Sequence, residues 1–189
     1  RSELLHFRYG CGRPMFMPDP AEADTVKERK ERAAAIRAVA RIPEVGQVPN
    51  FGDMTQFERW PDAVVDVLVG GTPCQDYSVA GLRLGMAGSR GQLTLTYVEI
   101  AARYRPRWVV WENVPGVLSS GDGRDFGSFV GGLGQLGYGW AYRTLDAQHF
   151  GVPQRRRRVF VVGYLGDWRR AAAVLFERHG MSGHPAPRR

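Results

Sequence analysis

Two short runs of β-branched and aromatic residues, each opening into a turn-forming segment, constrain this chain more than any other feature. Ala63-Val-Val-Asp-Val-Leu-Val69 ends in Gly70-Gly71-Thr72-Pro73, and Trp108-Val-Val-Trp111 ends in Glu112-Asn113-Val114-Pro115. Runs this short and this apolar read as buried strands, and Gly and Pro mark where each becomes a loop. Between them Leu93, Tyr97, Ile100, Ala101 and Tyr104 recur at helical spacing until Pro106. A Gly-rich helix over about 124–136 and two further strands near 140–145 and 159–164 continue the alternation. Strand and helix alternating in this way predict an open, mainly parallel α/β sheet with its active groups at the carboxyl ends of the strands.

Upstream, Pro14, Pro18 and Pro20 predict an irregular segment over residues 1–22. Thr25 with Glu28 forms a capping box, and Val26, Ala33, Ile36 and Ala40 predict an amphipathic helix with a charged outer face, ended by Pro43. The α/β pattern then fills 23–177, and the Pro-, Gly- and Arg-rich residues 178–189 are expected to be disordered. With 189 residues there is room for one domain of ordinary size. Lys and Arg number 26 against 19 Asp and Glu, a net charge of +7 that favours a polyanionic partner. No apolar stretch reaches the length of a membrane span. The two cysteines, Cys11 and Cys74, cannot build a disulfide framework, and the 4 His show no zinc spacing, so no metal is expected and a reducing cytoplasm is the natural compartment.

Three constellations carry candidate chemistry. Cys74 sits between Pro73 and Gln75 on the loop after the first strand; it is either a small buried hydrophobe or a thiol aimed into a cleft. Glu112-Asn113 sits at the mouth of the next strand, where the carboxylate could cap a helix, pair with an Arg or, desolvated by Trp111 and Val114, hydrogen-bond a ring nitrogen. Gln154-Arg155-Arg156-Arg157-Arg158 abuts the last strand; strand alternation would send Arg156 and Arg158 to one side and Arg155 and Arg157 to the other, one pair toward a cleft and one toward phosphate.

These segments resemble the motifs of the cytosine-C5 DNA methyltransferase family of bacteria and phages. Pro73-Cys74-Gln75 is similar to its nucleophile motif, Glu112-Asn113-Val114 to its Glu-Asn-Val motif, and Gln154 to Arg158 to its Gln-x-Arg-x-Arg motif. Phe51-Gly52-Asp53-Met54-Thr55 and Ser89-Arg90-Gly91-x-Leu93 match two more, in the family's order. The resemblance implies a Rossmann-like fold that binds S-adenosylmethionine and acts on a cytosine flipped out of double-stranded DNA. Cys74 would attack C6, Glu112 would serve N3, Asn113 would fix its loop, and Arg158 with Arg156 would hold the C2 carbonyl. Asp53, Met54, Gly70, Pro73 and Leu93 would line the cofactor pocket, although Asp53 alone also reads as an ordinary turn residue. Gln75, Ser78, Arg90, Arg155 and Arg157 would meet the nucleic acid. A monomer in a bacterial or phage-infected cell, paired with a restriction endonuclease, is the implied setting. A transfer-RNA cytosine methyltransferase and a non-catalytic nucleic-acid-binding relative are the alternatives. The family's opening Phe-x-Gly-x-Gly loop has only a poor echo in Phe7 to Gly12, its ribose-binding acidic residue is not evident, and the stretch after Gly163 is too short for a target-recognition domain and closing helix. The expectation is a catalytic-core fragment.

Overall fold

The computed structural model describes residues 10–44, 46–72 and 92–176, which pack as two compact units divided between Asp62 and Ala63. Pro73, Cys74, Gln75, Ser78 and Arg90 lie outside the described residues, as does the segment 178–189.

In the first unit, the chain near Gly10 to Phe16 runs parallel to the chain near Val48 to Gly52, joined by bridges at Cys11–Val48 and Phe16–Gly52. Pro14 and Pro49 lack the N–H groups that would extend these bridges into a ladder. Gly52 has φ +91°, and a Cβ there would lie 1.9 Å from the Phe16 carbonyl oxygen, so only glycine fits. Helix α1 (Val26–Val39) begins at Thr25, whose hydroxyl accepts the Glu28 N–H at 3.1 Å as the capping box requires. At its far end the Arg13 guanidinium donates to the carbonyls of Ala40 and Ile42. The expected apolar stripe is not buried: no residue of α1 is, and Val26 and Ile36 are exposed. Six of the residues from Lys27 to Arg32 are charged, and Glu28 pairs with Arg32 at 2.6 Å, so caps and ion pairs support this helix instead of core burial.

The second unit is a four-stranded sheet of β1 (Val67–Gly71), β2 (Trp108–Asn113), β3 (Tyr138–Asp146) and β4 (Arg157–Leu165), in the order β1-β2-β4-β3. β1 and β2 pair in parallel, joined through helix α2 (Gln92–Tyr104). β2 and β3 also run the same way, with helix α3 (Arg124–Gln135) between them in the chain, but β4 enters the slot they leave and pairs antiparallel with both. Three strands of the four therefore share one direction, as expected, while two of the three ladders are antiparallel. β1 starts four residues later than the apolar run suggests, and Val67 and Val69 are exposed. Its only described neighbour is β2, and its Leu68 and Gly70 are the residues that meet α2, through Tyr97.

Phe126, Phe129, Val130 and Leu133 recur at helical spacing on α3 and are all buried. Phe129 lies 4.2 Å from the Trp111 ring and 6.2 Å from Tyr97, centroid to centroid, which ties α3, β2 and α2 into one core with Val109, Val159 and Val161. The opposite sheet face over β3 and β4 is covered by α4 (Trp168–Leu175). Gly139 lets it approach: a Cβ there would be 2.1 Å from the Trp168 nitrogen. Burial raises the pKa of Tyr97, whose hydroxyl lies 3.1 and 3.0 Å from the carbonyls of Leu68 and Val110, and it also raises that of Tyr138, which donates to Pro106 at 2.6 Å.

Candidate active site

The carboxyl end of β2 carries Glu112 and Asn113, and strand alternation sends them to opposite faces. Because β4 is antiparallel, its first residues arrive at this same end of the sheet. Glu112 is in register with Phe160, which places Arg158 diagonally across on the Glu112 face. Arg158 Nε donates to Glu112 Oε1 at 2.8 Å, and both side chains are half-buried. On the other side Gly71 of β1 is directly in register with Glu112, and a Cβ on it would lie 2.9 Å from Glu112 Oε2. The carboxylate thus spans from a glycine notch on β1 to a guanidinium on β4. Trp111 points to the opposite face and is fully buried in the core, so it does not provide the desolvation expected of it.

Asn113 turns inward and is 1% exposed. Its Nδ2 donates to Thr72 Oγ1 at 3.1 Å, while its Oδ1 accepts the Val114 N–H at 2.8 Å. Thr72 Oγ1 also accepts from Trp111 Nε1 at 3.2 Å and lies 3.1 Å from Thr94 Oγ1. With both lone pairs engaged by nitrogen donors, the Thr72 hydroxyl has its proton left for Thr94. One buried hydroxyl therefore ties together the end of β1, the first turn of α2 and the end of β2. Thr72 directly precedes Pro73-Cys74 in the chain.

The arginine run divides differently from the expected alternation. β4 begins only at Arg157, so the alternation applies to Arg157 and Arg158 alone, and Arg155 and Arg156 belong to the preceding loop. Arg155, Arg156 and Arg157 are exposed. The loop is closed at its neck by Asp146, the last residue of β3. Asp146 Oδ1 accepts the N–H groups of Arg156 at 3.0 Å and Gln148 at 3.3 Å, Oδ2 accepts Gln148 Nε2 at 3.0 Å, and Ala147 donates its N–H to the Arg156 carbonyl at 3.0 Å. Burial disfavours the charged form of Asp146, but the N–H groups of Gln148 and Arg156 and the positive charges of His149 and Arg155 outweigh it and hold its pKa below the ordinary value.

Of the residues expected at the cofactor, Asp53 caps a 3-10 turn over Met54–Arg59, accepting from Thr55 N–H at 2.8 Å and Thr55 Oγ1 at 2.6 Å, which is the turn role that its sequence context also allowed. Met54 is half-buried at the start of that turn. Leu93 is half-buried in the first turn of α2. Gly70 has a reason of its own to lack a side chain: a Cβ would be 3.0 Å from the Tyr97 ring. Thr72, Gly71 and Asp146 were not singled out as site residues by sequence reasoning. The available signals were weak: a hydroxyl inside a Gly-Gly-Thr-Pro turn, and an Asp where a strand meets a loop. Among the described residues, no group of three or more His, Cys, Asp and Glu could hold a metal ion, and no helix is long and apolar enough to cross a membrane.

The family model for C-5 cytosine-specific DNA methylase matches residues 41–181. Over 196 aligned positions the chain is 40% identical to a protein of Escherichia phage P1 named DNA N-6-adenine-methyltransferase, covering 75% of this chain and 26% of that one. It is 37% identical over 122 residues to the type II methyltransferase M.BsuFI of Bacillus subtilis, covering 65% of this chain and 30% of that one. The crystal structure of a protein described as a DNA modification methyltransferase encoded within an E. coli prophage superposes with a TM-score of 0.50 at 20% identity, over 73% of this chain and 38% of that one. The α/β fold is thus of the methyltransferase type, and the chain spans roughly a quarter to a third of the length of these curated relatives.

Proposed function

This chain belongs to the C-5 cytosine-specific DNA methylase family, and on that premise we propose that it forms the part of a DNA cytosine-C5 methyltransferase that activates the pyrimidine. The observation that carries this reading is the Glu112–Arg158 pair at 2.8 Å. Cytosine presents N3 and the C2 carbonyl side by side, one calling for a proton and the other for a donor. A carboxyl group and a guanidinium held together on one sheet face match that edge. Glu112 serves N3 and Arg158 serves the carbonyl oxygen, with Arg156 beside it.

C5 of cytosine is a poor nucleophile. In the proposed reaction the Cys74 thiolate adds to C6, the C5=C6 double bond opens, and Glu112 donates its proton to N3 so that no net negative charge builds on the ring. C5, now the carbon of an enamine, takes the methyl group, and the displaced C–S bond pair stays on the donor's sulfur. A base then removes the C5 proton, the double bond re-forms, Cys74 leaves as thiolate and the N3 proton returns to Glu112. Asn113 and Thr72 hold the strand ends between which this happens.

S-adenosylmethionine supplies an electrophilic methyl on a sulfonium. Taken unit by unit, Asp53 and Met54 of the first offer a carboxylate for an adenine amino group and apolar surface, and Leu93 of the second offers apolar surface. Gly70, taken up by Tyr97, is the exception on its side-chain face. Pro73 completes the set by family resemblance. The reaction requires a base out of its stack, so phosphate contacts from Arg155 and Arg157, with Gln75, Ser78 and Arg90, offset the cost of flipping it. The proposed setting is a monomer acting without metal on double-stranded DNA in the cytoplasm of a bacterial or phage-infected cell, in modification paired with a restriction endonuclease or in phage protection.

The name of the phage P1 relative raises adenine N6 methylation as a second reading. There the exocyclic amine is itself the nucleophile and needs neither a thiol nor a carboxyl at a pyrimidine N3, so the Glu112–Arg158 geometry favours cytosine. Expressing the chain in its native reading frame and incubating it with S-adenosylmethionine and duplex DNA containing 5-fluorocytosine tests the choice. A denaturant-resistant adduct that Cys74→Ser abolishes is expected, because fluorine at C5 blocks the final elimination. Methylation of adenine with no adduct, adduct formation on tRNA alone, or an adduct that survives Cys74→Ser would each overturn the proposal.

A further inference from the structure

We propose that Asp146 is a positioning residue for the reaction, clamping the neck of the arginine loop so that Arg158 enters β4 at the height of Glu112. The inference rests on the proposed reaction for its catalytic consequence, and on geometry alone for the clamp.

Loop 147–156 leaves β3 and returns as β4, and its two ends are held by one carboxylate. Asp146 is 8% exposed and receives three hydrogen bonds, two from backbone N–H groups on the two sides of the neck, Gln148 and Arg156, and one from the Gln148 side chain. A buried carboxylate surrounded by donors is an anchor of fixed position, because moving the backbone strips it of partners at a large desolvation cost. Arg156, whose N–H it holds, is two residues from Arg158. Arg156 is the last residue of the loop and Arg157 the first of β4, so a displacement of the backbone at Arg156 passes through one residue into the strand at Arg158. At the loop tip Phe150 and Val152 are exposed, and the neck bonds are what register the loop on the sheet. No hydrogen bond or ion pair joins Asp146 to Glu112 or Arg158; its effect on them passes through the backbone.

A role in positioning differs from a role in charge or in bulk stability, and three substitutions separate them. Asp146→Asn keeps the oxygen that accepts both backbone N–H groups and removes the charge. Asp146→Ala removes the acceptors. Asp146→Glu keeps the charge and moves the oxygens by one methylene, and it decides the question should Asp146→Ala fail to fold. The readouts are amide hydrogen exchange at Gln148 and Arg156, and the rate of adduct formation with 5-fluorocytosine DNA at saturating and sub-saturating duplex. For Ala and Glu, exchange at both amides rises and the saturating rate falls by about tenfold to a hundredfold, the scale set by lost charge-assisted hydrogen bonds. The half-saturating duplex concentration rises by less than the rate falls: Asp146 is in register with Arg157 and near the charge of Arg155, but both arginines keep their positive charge in every variant. Asn restores both exchange and rate. Unchanged exchange in Ala and Glu, a loss that Asn does not rescue, or a loss confined to duplex affinity would overturn the proposal. Should the parent protein form no adduct at all, the proposed reaction fails while the exchange result still decides the clamp.

Discussion

Replacing Thr72 by Val keeps the shape of a buried side chain and removes only its hydroxyl, so the packing of the site stays nearly constant while its hydrogen bonding changes. Trp111 Nε1 and Asn113 Nδ2 donate to that oxygen at 3.2 and 3.1 Å, and Thr94 lies against it at 3.1 Å. Trp111, Thr94 and Asn113 are each no more than 1% exposed, so water does not replace the lost partner without entering the core. A buried donor left without an acceptor costs about 1–3 kcal/mol. Two such donors give roughly 2–6 kcal/mol for Thr72→Val, reduced to about 2–5 kcal/mol when Thr94 turns to accept one of them. Thr72→Ser keeps the oxygen and loses one methyl group, about 1 kcal/mol. Urea unfolding followed by tryptophan fluorescence, with the slope checked for constancy, measures both. Val should therefore be the costlier replacement by about 1–4 kcal/mol, from the same two figures. Equal stability of Thr72→Val and the parent, or a Ser variant as damaged as Val, would refute the view that the hydroxyl, and not the shape, holds the ends of β1 and β2 together.

Two further outcomes follow from the same site and its core. Gly71→Ala sets a methyl 2.9 Å from Glu112 Oε2, and since the atom it meets is the end of a flexible side chain, stability should change by no more than about 1 kcal/mol while the carboxylate shifts. Adduct formation on 5-fluorocytosine DNA should slow by about tenfold or more, as expected for a displaced catalytic group, and an unchanged rate would mean that Glu112 does not act from its observed position. The buried hydroxyls of Tyr97 and Tyr138 have raised pKa values, so the stability they contribute is fully present below the unfolded tyrosine pKa, about 10, and is lost as pH climbs above it. In an alkaline absorbance titration, Tyr97 and Tyr138 should ionise at higher pH in the folded protein than in the unfolded chain, and the Phe variants at positions 97 and 138 should each reduce the late-ionising amplitude; variants that leave it unchanged would contradict the burial.

The strands and helices of the second unit were legible because their apolar residues obey simple periods: Trp108 to Trp111 is too short and too apolar to be anything but a strand, and Tyr97 and Ile100 mark the buried stripe of α2. The direction of β4 was not legible, since nothing in Val159-Phe-Val-Val distinguishes a parallel from an antiparallel neighbour; pairing is set by partners far along the chain. The burial of β1 was over-read for a related reason. An all-apolar run records that both faces can be buried, whereas Val67 and Val69 are exposed among the described residues. At the site, Glu112 and Arg158 were legible as chemistry, but their meeting depends on a diagonal register that no local pattern specifies. Thr72 and Asp146 escaped notice because threonine and aspartate are ordinary in turns, and what sets these two apart is the number of donors converging on them.

Inserting β4 between β2 and β3 has a consequence for how the protein comes into being on the ribosome. Until residues 157–165 emerge, β2 and β3 have no strand between them, each with an inner edge whose N–H and C=O groups await a partner. Glu112 waits over the same interval for its guanidinium, some 46 residues downstream, so that β4, the last of the described strands to be synthesised, both fills the slot between β2 and β3 and completes the charge pair. Until β4 is made, those unpaired edges are open to neighbouring chains. The Glu112–Arg158 pair therefore also records strand insertion: a molecule in which Arg158 has reached Glu112 has already seated β4 between β2 and β3.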